Sequence, residues 1–294
     1  MQTWTIQKLL NWTVDYFTKH EIDSPRLSAE LLLSSVLSLK RIELYTNFDK
    51  AVAKSHLDRL HDLVRRAGRQ EPIAYLIGKT EFYSIELDIT PDCLIPRPET
   101  ELLVERAIEF LKTRSGPQFI CDLCTGSGCI AVAIAKNLSC TNIIATDICS
   151  AALNVAGRNV TKYKLDKQIE LLCGDLFDPL IPQLDKNGDK FDLIVCNPPY
   201  VSDRELAALD KNVRDYEPHF ALSGGQDGLD VYRKIIEKAD SFLKSDAALM
   251  LEIGYGQGPA IKELLESTGA YGRITVEKDF QNNDRVVTAK KTSG

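Results

Sequence analysis

The 294-residue sequence has no apolar run approaching the about 20 residues that a membrane-spanning helix needs, which excludes a helical membrane protein. Its start, Met1-Gln2-Thr3-Trp4-Thr5, lacks the basic region and apolar stretch of an export signal. The eight cysteines have no framework spacing, and Cys121, Cys173 and Cys196 lie in apolar, strand-like runs. They read as reduced core residues, and the expected location is the cytoplasm. Cys121-Asp122-Leu123-Cys124 is formally a CxxC, but it has no second pair and no nearby histidine. With His20, His56 and His61 scattered, no metal site is expected. Internal repeats and low-complexity tracts are also missing. Charge is uneven: residues 1–75 carry 11 basic against 9 acidic side chains, and the remainder 25 against 33. So acidic a second part is a poor general polyanion binder, which makes nucleic acid an unlikely main partner.

What is present falls into two patterns. Residues 1–70 have helical periodicity: Ile6, Leu9, Leu10, Val14 and Phe17 share one face, and Leu57, Leu60, Leu63, Val64 and Ala67 another. Asp23-Ser24-Pro25 reads as a helix start with a capping side chain. A small helical bundle of this kind grips a macromolecular partner or packs as a lid. Around Pro72 the pattern changes. Ile85, Leu87 and Ile89 alternate with polar residues, as in a β-hairpin. Leu94 to Glu101 is a proline-stiffened charged loop. From Phe119 onward, strand candidates at 119–123, 142–147, 169–173, 191–196, 247–253, 273–277 and 285–289 are interspersed with helices at 128–138, 150–160, 228–243 and 258–268. That alternation predicts a mostly parallel sheet covered on both faces. Longer loops are expected at 178–190 and 201–227.

The strand candidate 191–196 stops at Asn197-Pro198-Pro199-Tyr200, because neither proline can donate to a ladder. Ligands of open α/β sheets sit at such carboxyl ends. A conjugated amide or amino nitrogen is a poor nucleophile, since its lone pair is delocalised. Two acceptors on its two N–H bonds orient it and offset the charge that grows during attack. The Asn197 side-chain carbonyl and the Pro198 backbone carbonyl are suited to this, and Tyr200 to covering a planar group.

Three more strand ends supply a donor site. Asp122-Leu123-Cys124-Thr125-Gly126-Ser127-Gly128 joins a strand to a helix, with glycines that admit close approach of a ligand. It lacks both the Lys-Ser/Thr ending of a phosphate loop and the Gly-x-Gly-x-x-Gly spacing of a dinucleotide turn. Asp147 ends the second strand, placed to accept from ribose hydroxyls; Ser150 is expected to cap the following helix. Asp175 and Leu176 end the third, beside an adenine. A nucleoside site with acids and no phosphate clamp suits S-adenosylmethionine, so the residues imply an S-adenosylmethionine-dependent N-methyltransferase with S-adenosylhomocysteine as product.

The sequence also resembles the protein-(glutamine-N5) methyltransferases of class I peptide chain release factors. The likeness rests on Ser24-Pro25-Arg26-Leu27, Glu71-Pro72-Ile73-Ala74-Tyr75, Leu94 to Glu101, Asp122 to Gly128, Asn197 to Tyr200, Glu217-Pro218, Gly224-Gly225, Glu252-Ile253-Gly254 and Asn283-Asp284-Arg285, in the family's order. The resemblance implies an α/β fold: a seven-stranded class I (Rossmann-like) methyltransferase domain over 96–294, a helical substrate-recognition domain over 1–75 and a β-hairpin linker over 76–95. It implies methyl transfer to the side-chain amide of the Gln in the release factor's Gly-Gly-Gln loop, by a monomer. By position, Cys124, Thr125, Gly126, Ser127 and Gly128 line the methionine part of the cofactor, Asp147 holds ribose, and Asp175 and Leu176 border adenine. Asn197 also touches the cofactor. Asn197, Pro198, Pro199 and Tyr200 hold the glutamine, and Glu217 belongs to the substrate-side loop.

Two positions depart from the family. Cys124 stands where it usually has Gly, so the backbone there is expected to be tolerable for an L-residue and the pocket slightly narrower. Leu176 replaces what is often a larger aromatic. The alternative acceptors are a ribosomal-protein glutamine and an adenine-N6 or guanine-N2 of nucleic acid; a non-enzymatic binding module is a third class.

Overall fold

Six consecutive buried residues, Phe191–Cys196, form the middle of a seven-stranded sheet. The computed structural model describes residues 3–182 and 190–292. Of the expected loop 178–190, residues 183–189 lie outside the described residues. The chain divides into two units, one of Met1–Lys79 with Asp210–Tyr216 and one of Thr80–Leu209 with Glu217–Gly294.

The first unit is helical, with helices Ile6–Lys19, Pro25–Leu37, Arg41–Thr46, Lys54–Ala67 and Ile73–Ile77. Ile6, Leu10, Phe17, Leu32, Leu33, Leu44, Leu60 and Val64 form its buried core. Ser24 does not cap its helix as the sequence suggests: its backbone is left-handed (φ 45°) and its hydroxyl makes no capping bond, although Pro25 does begin the helix. The segment 210–216, from the middle of an expected loop, belongs to this unit; Tyr216 Oη donates to the Arg69 carbonyl at 3.0 Å.

The second unit begins with the hairpin β1 (Lys79–Phe82) and β2 (Ile85–Asp88). Its two-residue turn puts both Tyr83 and Ser84 at positive φ, which matches the twist of the flanking strands. Strands β3 (Gln118–Leu123), β4 (Thr141–Asp147), β5 (Ile169–Cys173), β6 (Phe191–Cys196), β7 (Leu243–Glu252), β8 (Tyr271–Lys278) and β9 (Asp284–Lys291) form one sheet in the order β5-β4-β3-β6-β7-β9-β8. β3 to β7 run parallel, and β9 is antiparallel to both β7 and β8. Successive residues face opposite layers. Leu193 and Val195 join the core under helix Thr100–Lys112, whereas Ile194 and Cys196 join the core under helix Asp230–Phe242. Each fully buried Leu, Ile or Val contributes about 1.5–3 kcal/mol, so the two layers pin β3 and β6 at the sheet centre, where the strand order reverses. Cys121 and Cys196 are buried as expected, but Cys173, near the end of the edge strand β5, is exposed, and all eight cysteines are free. Among the described residues no helix is long and apolar enough to cross a membrane, and no cluster of His, Cys, Asp and Glu is built to hold a metal.

Candidate active site

The carboxyl ends of β3, β4, β5 and β6 surround a cavity of about 240 Å³. Cys124, Thr125, Gly126, Ser127, Asp147, Asp175, Leu176, Asn197 and Pro199 all line it. Among the residues expected at the site, Gly128, Pro198, Tyr200 and Glu217 do not.

The turn after β3 is set by backbone geometry. Cys124, Gly126 and Gly128 have φ of 56°, 56° and 78°. Position 124 thus has the conformation that glycine favours, and it tolerates cysteine at a cost of about 1–2 kcal/mol. A Cβ on Gly126 meets nothing within 4 Å, which leaves room above the turn for a ligand. Gly128 has a different task, since a Cβ there lies 3.2 Å from the Ala156 Cβ; its lack of a side chain lets two helices approach. Thr125 turns its hydroxyl inward and donates to Asp122 Oδ2 at 2.6 Å. Burial pushes the Asp122 carboxyl up to about 7, against the pull of the Thr125 hydroxyl and the Ala131 N–H. Asn159, fully buried, donates to the Ser127 carbonyl at 2.9 Å and pairs with the Asp88 backbone, tying the turn to the hairpin. The Ser127 hydroxyl is buried and, among the described residues, forms no hydrogen bond, with the Cys129 thiol close by.

Asp147 fastens this turn. Its Oδ2 accepts from Gly126 N at 2.8 Å and its Oδ1 from Cys149 N at 2.9 Å. The second bond closes an Asx turn ahead of the helix Ser150–Lys162, whose N-cap is Cys149; no side chain makes the capping bond there, and Ser150, expected to cap, is the first helical residue. Burial holds the Asp147 pKa above the usual range despite these bonds. Each carboxylate oxygen keeps a second lone pair. Farther round, Asp175 is half exposed, with Lys234 Nζ at 3.6 Å, and Leu176 lies almost buried at φ 47°. Ile148, 64% exposed on the cavity wall, is a second apolar surface that the sequence did not single out.

Across the cavity, Asn197 Nδ2 donates to Thr100 Oγ1 at 3.1 Å. This turns Oδ1 away from Thr100, the orientation an acceptor of N–H bonds requires. Pro198 is buried behind it. The Tyr200 hydroxyl donates to Glu252 Oε1 at 3.5 Å. Glu252, at the end of β7, is fully buried; burial pushes its carboxyl up to about 7, against the Thr100 hydroxyl and the Arg285 charge. Beyond Tyr200 the chain doubles back, with Val201 N donating to Leu222 O and Gly224 N to Val201 O, both at 2.9 Å. That fold brings Phe220, 47% exposed, and Ser223 to the cavity. Glu217 is buried and engaged elsewhere. It accepts from Ile95 N at 3.1 Å and Arg97 Nη2 at 2.5 Å, and so ties down the Pro-Arg-Pro loop, whose Pro96 and Arg97 line the cavity.

The Asn197 amide, an acid at Asp147 and open space above a glycine turn thus meet at one sheet edge. Comparison with known proteins agrees. Residues 8–78 match the model of the PrmC N-terminal domain, and residues 99–215 that of the methyltransferase small domain. The release factor glutamine methyltransferase of Rhodopirellula baltica is 40% identical over 291 residues, 98% of this chain and 97% of the relative. That of Geobacter sulfurreducens is 39% identical, covering 97% and 96%. A methyltransferase structure from Pyrococcus furiosus shares the fold, with a TM-score of 0.50 at 18% identity over 82% of this chain and 100% of that one. With that identity sustained over almost its whole length, the chain belongs to the release factor glutamine methyltransferase family.

Proposed function

We propose that this protein methylates the side-chain amide nitrogen of the Gln in the Gly-Gly-Gln loop of class I peptide chain release factors, using S-adenosylmethionine. The observation that carries this is the Asn197 amide, whose nitrogen is held by Thr100 and whose oxygen is left for an acceptor's N–H.

The cavity fits the cofactor: room above Gly126, a buried Ser127 hydroxyl that forms no hydrogen bond among the described residues, and spare lone pairs on Asp147. Cys124 to Ser127 border its methionine part, Asp147 holds ribose, and Asp175, Leu176 and Ile148 border adenine. Bound there, S-adenosylmethionine supplies an electrophilic methyl group on a cationic sulfur. Asn197 Oδ1 and the Pro198 carbonyl each accept one N–H of the glutamine amide, fixing the nitrogen's direction. As its bond to the methyl carbon forms and the methyl–sulfur bond breaks, leaving neutral S-adenosylhomocysteine, the nitrogen becomes positive, and the two carbonyl dipoles stabilise that charge. Tyr200 and Pro199 border the amide plane. The proton leaves to water, and no charged base is needed during attack. Residues 1–75 recognise the release factor, and Glu217 acts on the site through the loop it anchors. The protein works as a monomer in the cytoplasm.

The test is transfer of labelled methyl to purified release factor, to the same factor with its Gly-Gly-Gln glutamine replaced, to ribosomal protein and to DNA, side by side. Label on the intact release factor alone is expected. Label on DNA or on the glutamine-less factor refutes the assignment. Asn197→Ala should lose about 100-fold or more in kcat while binding S-adenosylmethionine normally; undiminished turnover in this variant refutes the role of Asn197.

A further inference from the structure

We propose that Thr100 and Glu252 are positioning residues that decide which end of the Asn197 amide faces the glutamine. The inference rests on the reading of Asn197 as the amide acceptor and extends it.

The two ends of an asparagine amide are nearly the same size but opposite in function. With Oδ1 toward the cavity, Asn197 accepts from the glutamine's NH2. With Nδ2 toward the cavity, donor meets donor, and the glutamine nitrogen is repelled from the attack position. The prolines fix the backbone and say nothing about this choice. Thr100 makes it. Its hydroxyl has one proton and two lone pairs. If the proton points to Asn197, Oδ1 is drawn inward and the site is inverted. If it points elsewhere, a lone pair faces Asn197, and Nδ2 must turn inward, as it does at 3.1 Å.

Glu252 is the acceptor beside Thr100 that can take its proton. The register pairs Cys196 with Leu251, so the next residues, Asn197 and Glu252, leave adjacent strands side by side. Glu252 is entirely buried, and its Oε2 has no formed hydrogen bond among the described residues. The Thr100 hydroxyl is close enough to this carboxyl to pull its pKa down against burial, and the Tyr200 hydroxyl donates to its Oε1 at 3.5 Å. The Tyr232 hydroxyl holds the Glu252 backbone carbonyl at 2.7 Å, which keeps the residue from moving with its strand end. One carboxyl thereby fixes both ends of Asn197-Pro198-Pro199-Tyr200: Tyr200 directly and Asn197 through Thr100. A buried acid with an unfilled oxygen is costly to a fold, and setting this proton direction is a role that accounts for it.

The experiment compares Thr100→Val, Thr100→Ser and Glu252→Gln with wild type in steady-state methylation of release factor, with S-adenosylmethionine affinity measured separately. Valine has the shape of threonine without the hydroxyl. It should lower kcat about 30- to 100-fold and leave cofactor affinity within about twofold. Serine restores the hydroxyl and should recover kcat to within several-fold of wild type, an outcome that a role in packing alone does not give. Above pH 7 the ionised Glu252 carboxylate offers Thr100 only acceptors, whereas Glu252→Gln offers a donor as well, so in that range the direction is no longer fixed and kcat should fall with cofactor affinity kept. Wild-type kcat in the valine variant, or serine as poor as valine, overturns the inference. If the valine variant does not fold, wild-type kcat in Glu252→Gln overturns it. Failure of wild type to methylate release factor is a separate result, against the proposed function.

Discussion

Replacing Asp147 by alanine tests two roles at once, and the structure says how large each is. Without ligand, Asp147 accepts backbone N–H groups from Gly126 at 2.8 Å and Cys149 at 2.9 Å. Hydrogen bonds to charged groups contribute about 1.5–3 kcal/mol each. Burial already disfavours this charge, so the lower figure applies, and losing both bonds costs about 3 kcal/mol. At about 2–4 °C per kcal/mol for a large domain, the unliganded melting temperature should fall by roughly 6–12 °C. The second role concerns the ligand. Losing a charge-assisted bond to ribose weakens binding by about 10- to 100-fold. At a ligand concentration 100 times the wild-type Kd, binding stabilises wild type by about 2.7 kcal/mol. With Kd raised 100-fold the same concentration contributes only about 0.4 kcal/mol. Thermal melts with and without S-adenosylmethionine, with calorimetric titration, separate the two. A variant that melts lower but keeps its full ligand shift removes Asp147 from the ribose. One with an unchanged unliganded melt refutes its role in fastening the turn.

Two further outcomes are expected. Asp122 and Glu252, both fully buried, are each pushed up to about 7 from ordinary values of 3.8 and 4.5. A folded state that binds more protons than the unfolded chain is stabilised at low pH, and this contribution is lost as pH rises through about 7. Denaturant unfolding should therefore give a larger free energy at pH 6 than at pH 8, and a rise in stability across that interval contradicts the shifts. Glu217→Gln removes the charge that Arg97 pairs with and one tie on the Pro-Arg-Pro loop. S-adenosylmethionine should dissociate several-fold faster in stopped-flow measurements, with the Asn197 chemistry intact; unchanged dissociation frees Glu217 from any part in holding the loop.

The strands were legible because each ends where its chemistry changes. Pro198 and Pro199 stop β6, Gly126 stops the strand pattern after β3, and Ala247 to Leu251 form a continuous apolar run in β7. The site residues on those ends were legible for the same reason, since parallel strands deliver their carboxyl ends to one edge. What escaped depends on contacts that sequence spacing does not encode. Thr100 meets Asn197 across 97 residues, and Glu217 meets Ile95 across 122. Asn159 reaches three backbone groups from the face of a helix that otherwise reads as amphipathic. Capping was misassigned at Ser24 and Ser150 because a serine before a helix is only a candidate. At Ser24 a left-handed backbone carries the hydroxyl out of reach, and Ser150 lies one residue inside the helix, past the N-cap Cys149.

Cys124 shows which part of the site is held by side chains and which by backbone. The turn needs φ near 56° at this position so that Thr125 N can reach the Thr146 carbonyl at 2.9 Å and Gly126 N can reach Asp147. Glycine adopts that conformation freely, and cysteine adopts it at about 1–2 kcal/mol. Domains hold about 5–15 kcal/mol of stability, so the strain lowers the margin without changing the path of the chain. The thiol packs against the apolar layer that includes Cys196 and Leu123 and leaves the space above Gly126 open. Cysteine rather than glycine here is thus a cost in stability at a position whose function is carried by its φ. At Asp147 and Asn197 the atoms themselves carry the function, and no backbone adjustment replaces them.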